Sequence, residues 1–135
     1  MNSLMLIKLT TAMILGALLG LERELRQKPG GVKTNGLVSL ASCAFVLIVE
    51  EVDPTEKARV ITGIIQGVGF IGGGLILKGG NNAKGLTGAA EIWISSGVGL
   101  ACGVGLWRLA ITILLLCLIL LKIMKMSFRK LNNHN

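Results

Sequence analysis

The feature that most constrains this chain is an apolar run from Leu86 to Leu121, 36 residues long and broken by only two charged side chains, Glu91 and Arg108. A helix that crosses the hydrocarbon core of a bilayer needs ~20 residues at ~1.5 Å rise each. The run is too long for one such span and sufficient for two short ones. Cys102-Gly103-Val104-Gly105 marks the reversal, because glycine closes a helix and lets the chain turn. Three more apolar stretches precede it: Leu4 to Leu21, broken only by Lys8, then Asn35 to Val52, then Val60 to Leu77. The pattern predicts an all-α polytopic membrane bundle of about five transmembrane helices over residues 1–121, followed by a short basic tail at 122–135.

Composition excludes the main alternatives. Charged residues are 16% of the chain and mean hydropathy is +0.71, whereas an average soluble domain carries ~25% charge. A soluble domain of this size leaves much of its surface in water and needs polar residues to cover it. Disorder needs low hydrophobicity and high charge density, and neither is present. The net charge of +7 does not read as nucleic-acid binding, because Tyr is absent and only 2 Trp and 3 Phe are available to stack on bases. The excess Lys and Arg instead anchor loops against anionic lipid headgroups, so the partner that composition implies is the bilayer. Cys43, Cys102 and Cys117 form no Cys-x-x-Cys pair, and the only histidine is His134. A disulfide framework, a metal site and imidazole chemistry are therefore not expected, and no cofactor is implied.

Lysine and arginine placement predicts orientation. The segments after the first and third helices, together with the tail, hold 10 of the 14 basic residues. The N-terminus is expected outside and the C-terminus in the cytoplasm, which requires an odd number of spans. The first stretch lacks a basic leader and a small-residue cleavage site, so it reads as a retained helix.

In lipid, helices associate through close packing that small residues permit. Gly16 and Gly20 form a Gly-x-x-x-Gly pair on the first helix. Gly63/Gly67 and Gly69/Gly73 do so on the third, and Ser95, Gly99 and Gly103 recur at spacing four on the fourth. These faces are expected to pack within the bundle, with a homodimer seam or a docking face as the alternative. On that basis Gly69→Leu and Gly99→Leu are both expected to disrupt packing.

Ionisable groups at depth cost ~2.5–3.5 kcal/mol on insertion scales, so each needs a reason. Glu91 lies just inside the expected cytoplasmic boundary, where an ion pair with Arg23, Arg26, Lys33 or Lys84 is the specific expectation. Gln66 lies deeper and needs a polar partner. Arg108 lies at a helix end and snorkels. No nucleophile sits beside a base, and Glu22 and Glu24 are two apart on a helix, so they face different ways. Glu50, Glu51, Asp53 and Glu56 read as solvated loop charge. Gly67-Val68-Gly69-Phe70-Ile71-Gly72 has the look of a nucleotide fingerprint, but no strand precedes it and it lies mid-membrane.

Specific strings then add a resemblance. Gly20-Leu21-Glu22-Arg23 is followed by Lys28-Pro29-Gly30-Gly31-Val32-Lys33-Thr34-Asn35, by Gly67 to Gly74, and by Lys84-Gly85-Leu86-Thr87-Gly88-Ala89-Ala90 before Trp93. In this order and spacing the chain resembles the MgtC/SapB family of bacterial inner-membrane proteins, over about residues 4 to 121. Lys33 stands where the family usually has Arg, Gly88 where it has a second Thr, and Glu91 where it more often has a small or hydroxylated residue. Replacing Arg with Lys keeps the charge and loses the planar bidentate fork.

The polar groups at membrane depth and the strings of the resemblance together mark Glu22, Arg23, Arg26, Lys33, Thr34, Asn35, Gln66, Lys84, Thr87 and Glu91 as the candidate polar cluster. The resemblance implies a multi-pass protein of the bacterial inner membrane, linked to magnesium limitation, virulence and survival inside host cells. It also implies a non-enzymatic regulator that binds other membrane proteins, ATP synthase among them, in a short form without the family's soluble C-terminal domain. A homo-oligomer is the other partner considered. The competing reading is an oligomeric magnesium or proton transport or channel subunit with Glu22, Gln66 and Glu91 lining a hydrophilic path.

Overall fold

A computed structural model describes residues 2–77 and 85–132, with side-chain environments through residue 123. The described residues form five helices: α1 (Ser3–Leu25), α2 (Val32–Val52), α3 (Lys57–Leu77), α4 (Leu86–Gly103) and α5 (Trp107–Asn132). A single 3-10 turn, Pro54–Glu56, joins α2 to α3. Asp53 caps that turn by accepting from the Thr55 N–H at 3.0 Å and the Thr55 hydroxyl at 2.6 Å. Those two bonds hold the Asp53 carboxyl below the usual carboxylate range.

The 36-residue run does divide in two, and the division is a Schellman motif. The Leu106 N–H bonds to the Ala101 carbonyl at 2.8 Å and the Gly105 N–H to the Cys102 carbonyl at 3.1 Å. Gly105 takes φ +83, a left-handed conformation that side chains resist. Gly103, the other glycine of the turn, keeps helical geometry and serves packing instead.

α1, α2 and the Pro54–Leu77 segment are each long and apolar enough to cross a membrane. Large apolar side chains cover the outside of the bundle, with Phe70 and Leu77 each 85% exposed. A surface of that kind suits lipid and not water, so the chain is a membrane helical bundle.

α4 lies at the centre and packs against the other four helices. Two apolar clusters fill the interior. One joins α1, α2, α4 and α5 through Ala12, Leu19, Cys43, Val98, Cys102 and Leu114. The other joins α2, α3 and α4 through Val38, Val46, Ile64, Val68 and Ile92.

The small-residue faces separate into two kinds. A Cβ on Gly16 would run into Ser39 and the Asn35 carbonyl, one on Gly20 into the Gly31 carbonyl, and one on Gly99 into the Ser39 carbonyl. A Cβ on Gly103 would lie 2.8 Å from the Val46 Cβ. Ser95 is fully buried between α2 and α4. Gly63, Gly67, Gly69 and Gly73 differ from the expectation of packing within the bundle: a Cβ on any of them meets nothing within 4 Å. The reason is rotational. α3 turns the stripe Ile64, Val68, Gly72 inward, and these are its only buried residues. The glycines to either side of that stripe face outward. Disruption by Gly99→Leu is therefore retained as an expectation, and disruption of this bundle by Gly69→Leu is withdrawn.

Candidate functional site: a buried polar seam

The site begins at the turn between α1 and α2. α1 ends in a second Schellman arrangement, with the Lys28 N–H on the Arg23 carbonyl at 2.9 Å and the Gln27 N–H on the Glu24 carbonyl at 3.0 Å. Gln27 takes the left-handed position at φ 52. The next residues, Pro29-Gly30-Gly31, fold back beneath the end of α1, where Arg23 and Asn35 hold them and Glu24 holds the first residue of α2. Arg23 Nε donates to the Pro29 carbonyl at 2.8 Å. Asn35 Nδ2 donates to the Gly30 carbonyl at 2.7 Å and to the Gly31 carbonyl at 3.1 Å. Glu24 Oε2 accepts the Val32 N–H at 3.0 Å, satisfying one of the free donors at the start of α2. Gly31 has no room for a side chain, because the Glu24 carboxylate occupies that position.

From this turn Arg23 reaches α4. Its Nη1 lies 3.5 Å from Glu91 Oε1, with both side chains more than nine-tenths buried. The distance is that of an ion pair and is long for a hydrogen bond. Gly88 makes the approach possible, since a Cβ there would overlap the guanidinium. The substitution that looked like a departure in the sequence thus makes room for an arginine.

Further along, α2 and α4 are joined by hydroxyls. Ser95 Oγ donates to the Asn35 carbonyl at 2.7 Å. Ser42 donates to the Val38 carbonyl at 2.8 Å and lies 2.9 Å from Ser96 Oγ, which leaves Ser96 as the donor between them. Ser39 donates to the Ala12 carbonyl at 2.7 Å, joining α2 to α1. At the other end of the bundle Lys8 Nζ donates to the Gly103 carbonyl at 2.8 Å, a cation at the negative end of α4. Two buried acceptors have no protein donor among the described residues, Asn35 Oδ1 and Glu91 Oε2.

Of the ten residues of the candidate cluster, the seam gathers Arg23, Asn35 and Glu91. Glu22 and Arg26 pair with each other at 2.7 Å, one turn apart and partly exposed. Lys33 and Thr87 are exposed and Thr34 is half-buried beside the seam. Gln66 is exposed on α3, away from the seam. Lys84 lies outside the described residues. Sequence reasoning missed Lys8, Glu24, Ser39, Ser42, Gly88 and Ser96. A signal was present for the serines, since hydroxyls at 39, 42, 95 and 96 in otherwise apolar helices need partners. Among the described residues no three of His, Cys, Asp and Glu are placed to hold a metal ion.

The comparison with known proteins adds to this geometry. A family model described as "MgtC family" matches residues 9–130. The chain belongs to the MgtC family. Protein MgtC of Salmonella typhimurium strain LT2 is 41% identical over 114 residues, covering 83% of this chain and 49% of the relative. Protein MgtC of Brucella abortus is 41% identical over 99 residues, covering 73% and 42%. An uncharacterized protein of Synechocystis is 42% identical over 107 residues, covering 78% and 46%. The chain thus spans about half the length of the curated relatives it matches. No solved structure matches it. The strings that carried the resemblance to the MgtC family supply much of the turn and its contact with α4: Arg23 from the first, Pro29 to Asn35 from the second, and Gly88 from the last.

Proposed function

We propose that this chain is a non-enzymatic, five-span protein of the bacterial inner membrane that regulates other membrane proteins by binding them. Its N-terminus lies outside and its C-terminus in the cytoplasm, and residues 1–121 form the membrane domain ahead of a basic tail. The observation that carries the reading is that the buried polar groups engage one another. Arg23, Glu91, Asn35 and the four serines hold α1, α2 and α4 together, and the described residues offer no nucleophile with an adjacent base. Groups used in this way fix a shape. The parts left for recognition are the exposed bases Arg26, Lys28 and Lys33 at the cytoplasmic rim and the outward glycine faces of α3. The link to magnesium limitation and to survival inside host cells, and ATP synthase as a partner, come from the family resemblance and belong to this proposal.

A second reading has its own observation. Asn35 Oδ1 and Glu91 Oε2 are buried acceptors without donors, which an oligomeric magnesium or proton pathway would use. Flux decides between the two. Purified protein in liposomes is expected to pass neither magnesium nor protons, and a flux abolished by Glu91→Gln overturns the regulatory reading. Affinity capture from native membranes at low and high magnesium is expected to recover a second membrane protein. Recovery of this chain alone at every magnesium level counts against regulation by binding.

A further inference from the structure

An apolar groove of about 830 Å³ lies between α2 and α3. Its α3 wall contains Gly63 and Gly67, and Phe45, Ile48 and Val52 of α2 form part of the facing wall. At one end stand Glu51 and Asp53, two carboxylates with no basic partner among the described residues, because Glu50 pairs with Lys57 and Glu56 with Arg59. An occupant of this groove is therefore apolar along its length and cationic at that end.

The chain itself carries such an element. α5 buries Ala110, Leu114 and Cys117 against the bundle. On its opposite side it exposes Arg108, Leu115 and Ile119, at helical spacings of seven and four. Arg108 has no acidic partner among the described residues and stands at the end of the bundle where α3 also begins. On α3, Gly63 and Gly67 repeat the spacing of four that separates Leu115 from Ile119. Copies of one protein in one membrane share an orientation, so the α5 of one copy runs parallel to the α3 of the next. With Arg108 level with the acidic end, Leu115 meets Gly63 and Ile119 meets Gly67, large side chains against positions where the backbone is bare.

We infer that the α2–α3 groove is filled by the α5 ridge of a second copy of this chain. The contact is heterologous, with a ridge on one copy and a groove on the other, so every copy offers both and assembly proceeds head to tail until a ring closes or a row extends. The inference concerns self-assembly and does not depend on which protein is regulated or whether any is.

Two differently tagged full-length chains, co-expressed in a bacterial membrane, test it. One carries Gly67→Cys and the other Ile119→Cys, with the wild-type pair as control for the buried native thiols. A short bismaleimide is expected to give a product bearing both tags. Gly67→Cys paired with Ile14→Cys, an exposed position on α1, is expected to give none. Gly63→Cys and Leu115→Cys are expected to link as well, and Gly67→Leu in the groove-bearing copy is expected to abolish that link while leaving the melting temperature of the detergent-purified monomer unchanged. Arg108→Glu is expected to weaken the link, and Glu51→Arg with Asp53→Arg in the other copy to restore it. The inference is overturned if position 67 reacts with a monomeric maleimide yet never links to 119, which leaves lipid in the groove. It is equally overturned if 67 links to 14 as readily as to 119, or only to a different protein.

Discussion

α3 and α4 carry the same glycine signature and have opposite fates. α4 buries Gly88, Gly99 and Gly103 against a guanidinium, a carbonyl and a valine. α3 buries only Gly72 and leaves Gly63, Gly67, Gly69 and Gly73 with nothing near them. What separates them is polar anchoring. α4 has Glu91, Ser95 and Ser96 on the face that meets α1 and α2, and each finds a partner there. α3 has Gln66, which is exposed, and Thr62, whose hydroxyl returns to the Ala58 carbonyl of its own helix at 3.0 Å. A run of small residues therefore licenses close approach without choosing a partner. Hydroxyls and charges choose the partner, because in hydrocarbon it is costly to leave them unpaired.

Four substitutions would break or sharpen this contrast, from largest effect to smallest. Gly99→Leu places a side chain into the Ser39 carbonyl, where backbone and not a flexible tip must yield. The expected outcome is failure to recover a monodisperse protein in detergent, beyond the ~1–3 kcal/mol typical of overpacking. Glu91→Ala leaves the Arg23 guanidinium buried without its countercharge, and the expected loss is about 3–5 kcal/mol. Reversible unfolding in mixed micelles reads it, and an unchanged midpoint would mean that Arg23 escapes to the interface. Ser42→Ala removes the partner of Ser96 and should cost about 1 kcal/mol, as for a single buried hydrogen bond. Gly69→Leu on α3 should move the thermal midpoint by no more than a surface substitution does, about 0.5 kcal/mol either way. A loss there comparable to that of Gly99→Leu would erase the distinction between the two helices.

Much of the fold was legible in the sequence, for a physical reason. Apolar runs bounded by charge must become spans of fixed length, so three helices followed from the first three stretches, and two more with the break near Gly103 to Gly105 from the run Leu86 to Leu121. Of the candidate site, Arg23, Asn35 and Glu91 were legible individually, and an ion pair between Glu91 and a base on the adjoining loop was among the expectations. What could not be read was helix rotation. Ile64, Val68 and Gly72 form one stripe of α3 and Gly63 and Gly67 lie beside it, and no local rule says which turns inward. Gly88 was opaque for a similar reason: its meaning depends on an arginine 65 positions earlier in the chain. Gln66 read as needing a polar partner because it lies mid-helix, which gives its depth in the bilayer and not its distance from the bundle axis.

The two cations of α1 are both engaged by α4, Lys8 by a hydrogen bond to the Gly103 carbonyl 95 positions away and Arg23 by the Glu91 carboxylate. Synthesis delivers α1 first and α4 only after two intervening spans. Until then α1 has only its contacts with α2 and the turn between them, Arg23 lacks its countercharge and Lys8 its carbonyl, and a ribosome stalled anywhere before Gly103 leaves at least one of the two cations without its α4 partner. The fourth helix is thus the keystone of biogenesis: truncation after α3 should yield a product that quality-control proteases remove, however apolar its three remaining segments are.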